Sequence, residues 1–185
     1  MVRGRLSMLA FAALAASVVA TMPSPAAAAS GAEISRDASA ALAALYRSQP
    51  SAKALGQRAK GILVFPHMLK AGFMFGGQIG EGALLKNGKT VAYYNSVAAS
   101  YGLQVGAQKF GYALFFMNDA ALKQLDATKG FELGVGPSIV VLDAGAAKSF
   151  TSNTATSDVY AFIFSQKGLM AGLGIQGSKI TKISK

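Results

Sequence analysis

The chain contains no cysteine, a single histidine and only 8 acidic residues among 185. Without cysteine there is no disulfide, no thiolate metal site and no thiol to carry a lipoprotein anchor. With His67 as the sole histidine, a metal centre would have to be assembled from scattered carboxylates. Neither a Ser/His/Asp nor a Cys/His catalytic arrangement can be composed with conviction. Glu81 between two glycines and Asp143 ahead of Gly145 are the nearest approach to a carboxylate pair, and turn or bulge positions account for both. No metal, cofactor or catalytic residue is therefore expected. Charged residues make up only 14% of the chain, below the usual quarter, while hydrophobic residues reach 52%.

Two short strings imitate nucleotide sites and fail on context. Gly172, Gly174 and Gly177 have the dinucleotide-binding spacing, yet only residues 178–185 follow, too few for the helix and strand that such a site needs. Residues 86–90, Lys-Asn-Gly-Lys-Thr, resemble a phosphate loop, but Ala83 stands where its first glycine belongs. Aromatic residues at 93, 94, 101, 115 and 116 fall within strand patterns and read as core, so no nucleic-acid partner is expected.

An apolar run over residues 6–20 follows Arg3 and Arg5 and ends in the small residues Ala26–Ala29. This reads as a secretory signal peptide over residues 1–29, on the general route because the arginines are not paired. Beyond it no run is long enough to span a membrane as a helix. Without Arg3 and Arg5 the 18 basic residues become 16 against 8 acids, a formal charge of +8. Outside the cytoplasm such a balance favours anionic lipid head groups or polysaccharide, and the expected location is periplasmic, peripheral to a membrane.

Apolar spacing predicts a first helix over 34–47 and a second over 52–60, capped by Ser51 and closed by Gly61. Residues 62–65 read as a short strand stopped by Pro66, with 67–70 as a connection. From 71 to 118 short apolar runs alternate with glycine, and Asn87-Gly88 predicts a tight turn joining 83–86 to 89–94. Residues 103–108 alternate as a half-buried strand. Asn118 or Asp119 caps a short helix through Leu125. Strands are expected at 131–141, 159–165 and 169–175, with a polar loop over 143–157 and a turn at 166–168. The glycines fall on one face of several runs, which predicts a strongly coiled sheet or small barrel, or a smooth face for a helix or ligand. The fold class is α+β: N-terminal helices packed on a glycine-rich antiparallel sheet.

Four ordered blocks carry a resemblance. Ile62-Leu63-Val64-Phe65-Pro66, then 71–73 and 80–85 (Gly-Glu-Gly-Ala-Leu-Leu), then 102–108 (Gly-Leu-Gln-Val-Gly-Ala-Gln), and 165–177 from Ser165 to Gly177 resemble the SYLF domain. The likeness covers residues 52–183, which gives a division into signal peptide 1–29, helix and linker 30–51, and SYLF-like domain 52–185. The resemblance implies a lipid-binding domain, with phosphoinositide and actin binding in eukaryotic members and export in bacterial ones. It aligns residues 52–60 with the family's basic N-terminal helix. At His67 the chain departs from the basic or small residue that often follows Phe-Pro.

The leading expectation is a non-enzymatic protein that binds an anionic phospholipid surface through Lys53, Arg58, Lys60, His67 and Lys70, assisted by apolar insertion. One alternative is a carrier enclosing an apolar ligand between sheet and helix. Another is an outer-membrane structural protein, although the expected helices leave little room for the long alternating strands of a membrane barrel.

Overall fold

The computed structural model describes residues 29–73, 75–101, 106–126, 130–133, 138–142, 156–168 and 177–185. Helix α1 spans Gly31–Ser48 and α2 spans Pro50–Gly56. Four long strands follow: β1 (Gly61–Phe73), β2 (Phe75–Lys86), β3 (Lys89–Tyr101) and β4 (Gly106–Phe116). Then come α3 (Asp119–Lys123), a 3-10 turn (Gln124–Asp126), β5 (Phe131–Glu132), β6 (Ile139–Leu142), β7 (Val159–Gly168) and β8 (Lys179–Ile183). The fold is α+β, as its patterning predicts.

The strands form one sheet in the order β5-β8-β3-β2-β1-β4-β7-β6. Six of the described ladders are antiparallel. The exception is β6/β7, a parallel edge pair that makes the sheet mixed. The two outermost strands are close in sequence, since only residues 133–138 join β5 to β6. The seven residue steps from Glu132 to Ile139 reach at most about 25 Å, whereas eight strands laid flat at ~4.8 Å spacing would hold their edges about 34 Å apart. The sheet must therefore curl, and it forms a half-barrel.

Curling gives the sheet an inner and an outer face, and at one end both are buried. Leu63, Phe65, Leu84, Tyr112, Leu114 and Phe116 point inward, where α3 and the turn after it close the barrel with Leu122 and Leu125. Ile62, Val64, Ala83, Leu85, Ala113 and Phe115 point outward against Ile34, Ala38 and Leu45 of α1 and Leu55 of α2. Two-sided burial is why this end reads as unbroken apolar runs rather than alternation. On the inner face of β2, a Cβ at Gly82 would run into the Phe65 ring and the Val64 carbonyl of β1. The glycines there are demanded by close coiling.

Local signals hold. Ser30 and Glu33 form a reciprocal capping box at the start of α1: the Ser30 amide donates to Glu33 Oε2 at 2.8 Å and the Glu33 amide to Ser30 Oγ at 3.3 Å. The Ser30 hydrogen bonds hold the Glu33 carboxyl below its usual range. Asn87 and Gly88 have φ of 50° and 74°, as the tight turn requires. Asn118 Oδ1 accepts from the Ala121 amide and caps α3.

Several expectations are corrected. The second helix begins earlier and is shorter than 52–60, with Gln49 at its cap position and Pro50 in its first turn rather than Ser51 as cap. The strand at 62–65 does not stop at Pro66. The register shifts between Val64 and His67 on the β2 side and between Phe65 and Met68 on the β4 side, so β1 bulges at Pro66 and His67 and runs on to Phe73. A bulge is where a central strand tolerates a residue without an amide hydrogen. The strand predicted at 131–141 is two strands on opposite edges of the sheet. Residues 166–168 are not a turn but the end of β7, and the tail at 179–183 is strand β8 beside β3. The strands predicted at 103–105 and 169–175, the loop at 143–155 and residues 1–28 lie outside the described residues.

Candidate functional site

Helix α1 covers only half of the outer face. Toward the Phe73 end of β1 the registers line up six residues across the sheet: Lys167 opposite Lys109, then Leu69, Ile79, Val97 and Lys179. Directly opposed residues place their side chains on one face, and the row continues the outward set, one step beyond the pair His67 and Glu81. Leu69, Ile79 and Val97 are 43%, 57% and 44% exposed. The next row outward is Ala107, Ala71, Gly77 and Ala99, all small and all exposed. The result is a bare apolar patch with two lysines at one end and one at the other. Glu132 on β5 lies opposite Lys179 at the far margin. The described ion pairs engage other cations: Arg36 with Asp37, Lys182 with Asp126, and Lys185 with Glu81.

The residues picked out from sequence fall in three places. Lys53 on α2 and Arg58 and Lys60 after it are exposed together at the opposite end of the strands, where the Lys60 amide donates to the Phe116 carbonyl at 2.8 Å. His67 is exposed on the outer face, its Nε2 3.4 Å from Asp37 Oδ2 on α1. Lys70 does not join either of them. It is 5% exposed and points inward between Gln78 and Gln108 on the flanking strands. The bulge at Pro66 and His67 explains this, because it adds one residue and reverses which face every later side chain of β1 occupies.

Lys70 belongs to a polar layer inside the half-barrel. Gln78 Nε2 donates to Ser178 Oγ at 2.6 Å, and Tyr112 Oη donates to Ser96 Oγ at 2.7 Å. Burial pushes the Tyr112 hydroxyl far up, outweighing the opposite pull of Ser96, so it stays protonated. Gln108 Oε1 is buried without a hydrogen-bond partner among the described residues. Nearer the helix end, burial and then the Asp126 charge raise Tyr94, which donates to Asp126 Oδ1 at 3.3 Å. Among the described residues no group of three or more His, Asp or Glu could hold a metal ion, and no helix is long and apolar enough to cross a membrane.

Sequence reasoning missed the row because it exists only across strands. Local patterning places Leu69 in a connection, and Lys109 and Lys167 are 58 positions apart until the register opposes them.

Residues 97–185 match the family described as "Ysc84: Las17-binding protein actin regulator". Protein YSC84 of Saccharomyces cerevisiae is 30% identical over 132 residues, a match spanning 67% of this chain and 28% of the yeast protein. LAS seventeen-binding protein 3 of the same yeast matches to the same extent. The chain belongs to the SYLF (Ysc84) family. Its family-matched segment begins on β3 and takes in Val97, Lys109, Lys167 and Lys179. Lys53, Arg58, Lys60, His67 and Lys70 precede it. The chain spans little more than a quarter of the length of these yeast SYLF relatives.

Proposed function

We propose that this SYLF protein is a non-enzymatic, exported protein that binds anionic phospholipid surfaces from the periplasm, after removal of residues 1–29. The observation that carries the reading is the bare outer row, in which Leu69, Ile79 and Val97 stand exposed between Lys109 and Lys167 at one end and Lys179 at the other. An exposed aliphatic patch framed by cations combines the two signals that stable, reversible membrane association needs: apolar area to enter the interface and charge to meet the head groups. Each lysine near an anionic surface contributes about 1 kcal/mol. Export is supported by the signal-like residues 1–29 and by α1 opening with its cap at Ser30.

Cosedimentation of the purified protein with vesicles of phosphatidylcholine, with and without phosphatidylglycerol, tests the reading. Binding is expected only with phosphatidylglycerol and should fade as salt shortens the Debye length to about 8 Å at 0.15 M. Equal pelleting with both vesicles, or with neither, overturns it.

A further inference from the structure

Where the bare row meets α1, the outer face opens into a cleft of about 620 Å³ between the helix and strands β1, β4 and β7. That volume is within the range of small-molecule sites. Two bulges make it. Pro66 and His67 bulge on β1, and β7 bulges opposite Phe110, where Ser165 holds a φ of 54°. Both flank Gly111, where any Cβ would run into the Phe164 ring. The missing side chain lets that ring lie across β4 as part of the cleft.

The lining is divided by chemistry. Ala40 and Ala41 from α1 with Leu69 and Phe164 from the sheet make an apolar wall, and Lys109 and Lys167 stand at the cleft as directly opposed partners on adjacent strands. Opposed like charges destabilise a sheet, and an anion between these two would offset that cost. Asp37, the carboxylate in the lining, is engaged by Arg36 at 3.0 Å and His67 at 3.4 Å.

We infer that this cleft holds one molecule of an anionic amphiphile, its phosphate or carboxylate between Lys109 and Lys167 and its apolar chain along Ala40, Ala41, Leu69 and Phe164. The inference rests on the lipid reading above and adds to it a discrete one-to-one site that shares Leu69, Lys109 and Lys167 with the surface that meets the membrane.

Calorimetry with three soluble probes tests it: dihexanoylphosphatidic acid below its micelle concentration, dihexanoylphosphatidylcholine with the same chains and no net charge, and glycerol 3-phosphate with the same anion and no chains. The acid is expected to bind one to one, and the other two at least tenfold more weakly. Ala40 is exposed, so Ala40→Phe fills the cleft without touching the core. This variant should lose at least tenfold in affinity for the acid while still pelleting with anionic vesicles. Glycerol 3-phosphate binding as tightly as the lipid would leave only an anion site and overturn the inference. No binding of the acid, or unchanged affinity in Ala40→Phe, would also overturn it, while vesicle pelleting reports separately on the membrane reading.

Discussion

Lys109 on β4 and Lys167 on β7 stand directly opposite each other on the outer face, both exposed. Cross-strand opposition of like charges disfavours the folded state, and the reverse pairing favours it by about 0.2–1 kcal/mol. Stability and function should therefore separate at this pair. Lys109→Glu is expected to raise the melting temperature by about 1–3 °C, on the scale of ~2–4 °C per kcal/mol for a domain of this size, while weakening binding to anionic vesicles. Lys53→Glu/Lys60→Glu makes the larger change in net charge but at the other end of the molecule, and should weaken vesicle binding less. A double variant that loses more binding than Lys109→Glu would return the site to α2.

The buried hydroxyl pair predicts a coupling. Tyr112→Phe leaves Ser96 Oγ without its donor in a fully buried site and should cost about 1–3 kcal/mol. Adding Ser96→Ala removes the orphaned group, so the double variant should be less destabilised than the two single variants summed. Strict additivity in denaturant melts would mean the hydroxyls are satisfied by other groups.

Acid sensitivity should map to Asp158. Its carboxylate accepts from Asn118 Nδ2 at 2.7 Å and from the Ser138 amide and hydroxyl, both at 3.2 Å. These bonds, the Asn118 one foremost, hold its carboxyl below the ordinary 3.8. A depressed folded value means the stabilisation is present above the unfolded value and is lost as pH falls through the folded one. Asp158→Asn should therefore be less stable than wild type at pH 7, and the gap should close below about pH 3.8. A gap independent of pH would assign the effect to packing.

What was legible in the sequence was local. Asn87-Gly88 names its own turn, Asn118 its own cap, and the apolar spacing of Ile34, Ala38 and Leu45 the buried side of α1. These depend on residues within a turn or two of each other. What was not legible depends on partners far away. Pro66 stops a strand in isolation, but a bulge paired with β4 carries β1 through it, and the same bulge sends Lys70 inward although it sits among residues of a basic stretch. The Lys109, Leu69, Ile79 and Val97 row comes from four strands whose order cannot be read from spacing.

Gly88 supplies a further check on the hairpin. Gly88→Val places a β-branched residue at φ 74° and should cost about 1–3 kcal/mol. Ala99→Val, on the exposed face of β3, should be close to neutral. Equal melting temperatures would deny the turn its role.

The central claim is that the bare outer row meets the lipid surface, and the absence of cysteine makes it directly measurable, because one introduced thiol carries one label. Ile79→Cys and Val91→Cys, bearing an environment-sensitive fluorophore, compare two exposed strand positions, 57% and 53% exposed, one in the row and one beside the hairpin turn. On vesicles containing phosphatidylglycerol, the label at Ile79 should brighten, shift to the blue and be quenched by spin-labelled lipid, while the label at Val91 should not change. Quenching at Val91 with none at Ile79, in protein that pellets with the vesicles, would contradict the account.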